Sequence, residues 1–359
     1  MKNILKFLLF LVSIVMLSTT VFFNSSGLFF SNILLKAESD SKLFLRMMTA
    51  ENHYFSNEWG TEESILSQAL ELSTNINLKD ARSFIFDEIP GLFAMVPDII
   101  VAGEGSDFTN LPVESSPPIE EILKDRNIKE GSLDELEKPD PPSEGEKPEK
   151  KTVFIYHTHS RESFVPHLED STSANTAQHK DINITLVGKK LAEELEKRGI
   201  GTVVDETDVP AVLYERKWTY GDSYAVSREV VQEAISNSKD LVYFMDIHRD
   251  SGAKNATTIE INGKLYGKLY FIIGENNKNY KKNEALAMEI HRRIEEKYPG
   301  LSKGIYKKSY VFNQDLSPNS MLIEIGGHQN RLEELYNTAE VLAEIFAEFY
   351  WEDAVEVNK

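Results

Sequence analysis

The chain runs to 359 residues and carries 58 acidic against 39 basic side chains, a formal net charge of -19. That balance excludes the basic footprint on which nucleic-acid binding rests. With no cysteine in the sequence, thiolate metal sites, cysteine nucleophiles and disulfide scaffolds are excluded too, so any metal must be held by histidine and carboxylate.

The first feature in chain order is the stretch from Ile4 to Phe23, almost wholly apolar, with Lys2 and Lys6 at its start and no further basic residue before Lys36. About 20 apolar residues suffice to cross a bilayer. The basic flank lies on the N-terminal side, which places the bulk of the chain outside the cytoplasm. No small-x-small cleavage site follows Phe23, so residues 1–26 are expected to be an uncleaved single-pass anchor rather than a removed signal peptide. Residues 27–103 read as a small, mainly helical juxtamembrane region, in which Thr61 caps an amphipathic run through Ile65, Leu66, Ala69, Leu70 and Leu72. Residues 104–150 hold seven of the 13 prolines among many acidic residues and few large apolar ones. Such a stretch buries too little to offset its ordering entropy and reads as an extended linker.

From 151 to 355 strands alternate with helices, the pattern of an α/β domain built on a twisted, mostly parallel sheet with helices on both faces. Val153 to Tyr156 is the opening strand, Lys180 to Arg198 an amphipathic helix stopped by Gly199, and Gly201 to Asp205 a second strand. Ser223 to Asn237 reads as a helix and Leu241 to Ile247 as a central strand. Thr258 to Ile273 reads as a hairpin turning at Asn262-Gly263. A helix from Asn279 to Lys297, a strand from Met321 to Ile325 and a helix from Arg331 to Trp351 close the domain.

Three of the strands end in polar clusters: HTHSRES at 157–163, DIHRD at 246–250 and IEIGG at 323–327. Ligands and catalytic groups collect at the carboxyl ends of strands in open α/β sheets. Alternation sends His157 and His159 to one side unless the strand has ended by His157, in which case only one reaches the crevice. Glu324 lies in the apolar run MLIEIGG, where burying a carboxylate is costly unless something positive meets it. A catalytic zinc needs three ligands from imidazole and carboxylate, plus a base. His159, His179 and His248 as ligands with Glu324 as catalytic base meet that need, and Glu162 is an alternative third ligand or a second catalytic acid. Arg161 and Arg249 are candidate substrate contacts, with solvated charge as the rival reading. His167 and His291 read as surface or helix-packing histidines and His328 as a loop residue. Ser160 and Ser163 lack a GxSxG elbow, which argues against a serine hydrolase.

The order of these motifs, HTHSRESF, then HKDINIT with the helix that follows, then FMDIHRD, then MLIEIGGHQNRLEEL, resembles the zinc-dependent N-acetylmuramoyl-L-alanine amidases of the wall-hydrolase type. Together with the N-terminal apolar run and the acidic linker, it resembles more closely the stage II sporulation protein P family. The resemblance covers residues 150–351 and falls on His159, His248 and Glu324. Where those amidases have a glutamate ligand this chain has His179, so the third ligand stays open between His179 and Glu162. The resemblance implies a membrane-anchored peptidoglycan hydrolase, with peptide cross-link cleavage as a second activity. It implies action beside a stage II sporulation protein D type transglycosylase and a membrane partner during engulfment, in the space between the forespore and mother-cell membranes. The alternative is a noncatalytic wall-binding scaffold module of a membrane complex.

Overall fold

The structure, a computed structural model, describes residues 98–103, 116–132 and 148–357. The apolar run 4–23 and the amphipathic stretch around 61–72 lie outside them. Among the described residues no helix is long and apolar enough to cross a membrane.

A seven-stranded sheet carries the domain, in the order β1-β8-β7-β9-β4-β2-β3. In sequence these are β1 (Asp98–Ala102), β2 (Lys151–Tyr156), β3 (Gly201–Val204), β4 (Tyr243–Asp250), β7 (Leu269–Gly274), β8 (Ser302–Lys308) and β9 (Ser320–Gly327). The hairpin β5 (Thr258–Ile261) and β6 (Lys264–Gly267) forms a separate two-stranded sheet. Strands β9, β4, β2 and β3 run parallel, β7 is antiparallel to β9, β8 parallel to β7, and β1 antiparallel to β8. The sheet is therefore parallel on one side and mixed on the other.

Five longer helices cover it: α1 (Ile184–Lys197), α2 (Val209–Arg216), α3 (Ser223–Asn237), α4 (Tyr280–Lys297) and α5 (Leu332–Val357). Alternation along each strand sorts the side chains. Val153, Ile155, Met245, Ile247, Ile323 and Ile325 point to one face and join α1, α4 and α5 in a single buried apolar cluster. The opposite face carries Phe154, Tyr156 and Phe244 under α3, and then, along the same strands, the polar residues of the site.

Local chemistry explains where the expected elements shifted. Helix α1 begins at Ile184 rather than Lys180, because the Asn183 side chain accepts from Thr185 N at 2.9 Å and caps the helix there. Helix α2 was not expected; Asp208 caps it and Pro210 sits in its first turn. Strand β4 runs three residues beyond Ile247, so His248 lies inside the strand. The expected hairpin from 258 to 273 is two elements, since Gly267 ends β6 and β7 enters the main sheet. Strands β1 and β8 carry no signal in the sequence pattern. Strand β1 falls in the stretch read as juxtamembrane, and it pairs with β8 from Asp98↔Lys307 to Ala102↔Gly304.

Part of the stretch read as linker is likewise built into the domain. Ile122 is fully buried among Val209, Leu213, Tyr220 and Val226, and Ile128 bridges Leu168. Lys129 N donates to His167 O at 2.9 Å and Glu169 N to Asn127 O at 3.0 Å.

Candidate active site

Strand β2 ends at Tyr156, and the two histidines that follow part company. His157 continues the alternation and points to the apolar face, against α1, where a Cβ at Gly188 would stand 2.2 Å from its Nε2. Glycine at 188 is the space His157 occupies, and burial pushes its pKa down to about 4. His159, past the strand end, lies on the other face. Its ring stacks on Tyr220 with centroids 4.5 Å apart and meets His248 edge-on at 5.1 Å.

His248 and Glu324 are direct neighbours on β4 and β9, partners in the parallel register, with both side chains buried on the α3 face. Asp246, two residues before His248, shares that face. Its Oδ1 stands 3.0 Å from His248 Nε2, and its carboxylate accepts from Thr158 N at 2.9 Å and Thr158 Oγ1 at 2.6 Å. Thr158 Oγ1 also contacts Ser227 Oγ on α3 at 2.8 Å. With Nε2 turned to Asp246, His248 Nδ1 faces Glu162 Oε2 across 3.8 Å. Glu162 is fixed in turn by Arg249 N, which donates to Oε2 at 3.1 Å, and by the short pairing of Glu162 with Gln178. Burial works against a charged His248 ring, but Asp246, Glu324 and Glu162 together outweigh it and raise its pKa to about 10.

Three of the residues singled out in the sequence serve elsewhere. His179 is not beside the other histidines in chemistry: Nδ1 accepts from Asp181 N and Ile182 N, both at 3.0 Å, so Nε2 must carry the proton toward Arg126 O at 3.2 Å. With both ring nitrogens engaged by backbone, His179 has no lone pair to offer a metal. Arg161 clamps the α2 cap with Nε and Nη2 on the Asp208 carboxylate at 2.9 and 2.6 Å. Arg249 is 1% exposed and spends its guanidinium on the carbonyls of Ser163, Ala174 and Ala177, holding the loop that carries Glu162. Arg249 is thereby committed to backbone, whereas Arg161, its side chain 12% exposed, also lines a surface pocket with Ser160 and Asp208. Ser160 Oγ accepts from Val209 N, and Ser163 Oγ donates to Ile182 O, so both serines are fastened to backbone. His167 Nε2 accepts from Leu332 N and His291 Nδ1 lies 2.8 Å from Ser302 Oγ, the packing roles expected of them.

Several neighbours escaped the sequence reading. Asp246 was visible in DIHRD, and its place two residues from His248 was the available signal. Tyr220 and Tyr224, in the turn before α3 and its first turn, enclose His159. Tyr270 lies across from Glu324 on β7, and Lys303 on β8 forms a buried ion pair with Asp250 at 2.9 Å, its ammonium 4.9 Å from the centre of the Tyr270 ring. Nothing local marks Lys303, because β8 meets the site only through the sheet order.

Zinc can be tested against this donor set. Among the described residues, no group of three or more His, Cys, Asp or Glu side chains is placed to hold a metal ion. The donors are nevertheless the right kinds, imidazole and carboxylate. The 3.8 Å between His248 Nδ1 and Glu162 Oε2 is near the roughly 3.4 Å that separates two ligands of one tetrahedral zinc. Asp246 stands behind His248 where a carboxylate would orient the imidazole toward a metal. Carboxylates at 162, 246 and 324 around one imidazole also leave a negative site that a cation would balance. His159, His248 and Glu162 therefore match zinc in donor type, and His248 and Glu162 also in spacing.

Residues 79–347 match the family model of stage II sporulation protein P. The stage II sporulation protein P of Bacillus subtilis (strain 168) is 40% identical over 338 residues, covering 89% of this chain and 83% of that protein. Among solved structures, an N-acetylmuramoyl-L-alanine amidase from Clostridium difficile 630 aligns at 20% identity and a TM-score of 0.33, over 57% of this chain and 97% of the other. The CwlD amidase from Clostridioides difficile, solved in complex with the GerS lipoprotein, aligns at 18% identity and a TM-score of 0.37, over 56% and 99%. The family match takes in every strand of the sheet and all of the residues gathered around His248, and by that match and the 40% identity the chain belongs to the stage II sporulation protein P family.

Proposed function

We propose that this chain is a membrane-anchored, zinc-dependent peptidoglycan hydrolase that cleaves the amide between the lactyl group of muramic acid and L-alanine as the sporulation septum is thinned. One observation carries the reading: His248 and Glu324 stand side by side in register on adjacent parallel strands, on the polar face of the sheet, with Glu162 and His159 closing on them. His159, His248 and Glu162 would hold the metal. Zinc, when bound, supplies a water of lowered pKa and polarises the carbonyl under attack.

The chain's own groups do the rest. Asp246 keeps His248 in the orientation that turns Nδ1 to the site, and Thr158 keeps Asp246 in place. Glu324 accepts the proton of the attacking water at a carboxylate oxygen and returns it to the departing amine of L-alanine. Glu324 is buried on the strand beside His248, 5% exposed. Peptide cross-link cleavage in the same pocket, a stage II sporulation protein D type transglycosylase as working partner, and a place between the forespore and mother-cell membranes belong to the same proposal.

The test is digestion of purified sacculi by the full chain, with the fragments identified by mass. Release of stem peptides beginning at L-alanine, lost in His248→Ala and in Glu324→Gln, is the expected result. Wall binding with no fragment release from the unaltered chain would overturn the reading in favour of a scaffold module.

A further inference from the structure

Next to the site lies a feature that the hydrolytic chemistry does not use. Helix α2 stops at Arg216, and Lys217 closes it in the left-handed conformation with φ 59°, which turns the chain so that Trp218 stands at the edge of a cavity of about 750 Å³. Trp218 is 37% exposed and Tyr214, also lining the cavity, is 61% exposed. Large aromatics left in water beside a cavity mark a surface that something else covers.

The indole is also held still. Arg216 lies over it, 4.9 Å from the ring centre, and Glu229 on α3 clamps that guanidinium through two contacts of 2.9 and 2.8 Å. A platform fixed before its ligand arrives binds with less loss of side-chain freedom. Tyr220 stands between the cavity and the site: it lines the cavity and its ring stacks on His159 at 4.5 Å. Pro117, Pro118 and Ile119, from the stretch read as linker, line it as well.

A fixed indole with a second, exposed aromatic beside it, flanked by the polar atoms of Lys217 and Thr219, matches one chemistry in particular. A pyranose ring offers a flat face of C–H groups to an aromatic ring and hydroxyl and amide groups at its edge. A stem peptide has no such face. We propose that this groove binds the glycan strand, with Trp218 and Tyr214 as stacking platforms for successive sugars, so that the amide borne by a muramic acid passes Tyr220 to reach His159. This rests on the hydrolase reading for its substrate, and adds which part of that substrate is gripped, and where.

The experiment uses the full chain carrying Glu324→Gln, so that binding is read without cleavage, and chitohexaose, a peptide-free β-1,4-linked sugar chain, as the probe. Binding that weakens by about tenfold or more in Trp218→Ala, and stays within about threefold in Trp218→Phe, is the expected result. The Phe variant keeps a flat face, so it separates stacking from any loss of folding. Chitohexaose binding equal in Trp218→Ala and the parent, or displacement of the sugar by a free stem tripeptide, would overturn the proposal. Because no bond is broken in this assay, failure of the hydrolase reading leaves its outcome untouched. Active hydrolysis with sugar binding indifferent to Trp218 would sink the groove alone.

Discussion

The two faces of one sheet do different work here, and the same strands supply both. On the face toward α1, α4 and α5, β4 and β9 present Met245, Ile247, Ile323 and Ile325, every one of them buried in one apolar cluster. On the other face the alternate positions of those strands present Asp246, His248 and Glu324, buried as deeply. Apolar burial there would give stability without chemistry; the polar set accepts a desolvation cost, offset by mutual pairing, and offers a site. The period of two that builds a sheet is what lets a core residue and a residue of the candidate site be neighbours in sequence.

That separation can be attacked from either side. The largest expected effect lies on the polar face: Glu324→Gln should slow fragment release from sacculi by about 10^3-fold or more while leaving the unfolding transition near that of the parent. Next, Phe346→Ala on α5, fully buried on the apolar face, should cost about 3–5 kcal/mol in denaturant unfolding. The release rate per folded molecule should then change by less than about twofold. If either variant moved both quantities alike, the two faces would not be separable.

Smaller changes sharpen the picture at the loop that joins the faces. Arg249→Met strands the carbonyls of Ser163, Ala174 and Ala177, and a loss of about 2 kcal/mol is expected, with release slowed because Glu162 loses its support. The smallest effect concerns pH. Burial, with Arg249 nearby, lowers the pKa of His328 to about 4, against about 6.5 in an unfolded chain. Its contribution is therefore complete above pH 6.5 and lost as pH falls toward 4, because the unfolded state takes up the proton first. His328→Gln should flatten that acid limb of the stability profile, an effect on the order of 1–2 kcal/mol, seen as a smaller fall in melting temperature between pH 6.5 and 4.

Local patterns made the parallel half of the sheet readable. The opening strand, helix α3 at Ser223–Asn237, and the strands bearing His248 and Glu324 follow from apolar runs and turn signals a few residues long. The Asn262-Gly263 turn marked its hairpin for the same reason, with Asn262 at φ 53° and Gly263 at φ 78°. Strands β1 and β8 were not readable. The short runs DIIVA and SKGIYKK lack an alternating pattern, and what makes them strands is their pairing with each other and with β7.

The site divides along similar lines. His159, His248, Glu324 and Glu162 could be found because each lies in a polar cluster at or near a strand end. The role of His179 could not, since two backbone amides on its Nδ1 are a property of the folded loop. Arg161 and Arg249 looked available for substrate because charge in sequence gives no hint of which carbonyls and carboxylates will meet it. Sequence also said nothing of Lys303, brought to Asp250 by a sheet order that no local pattern encodes.

The most direct test of the central claim joins metal content to cleavage in the full chain. Zinc is measured in the purified protein and in His248→Ala, and fragment release from sacculi is followed with and without a chelator. The account predicts about one zinc per chain in the parent and far less in the variant. Release should stop on chelation and return when zinc is restored. Release that continues undiminished in metal-free protein, or in His248→Ala, would contradict it.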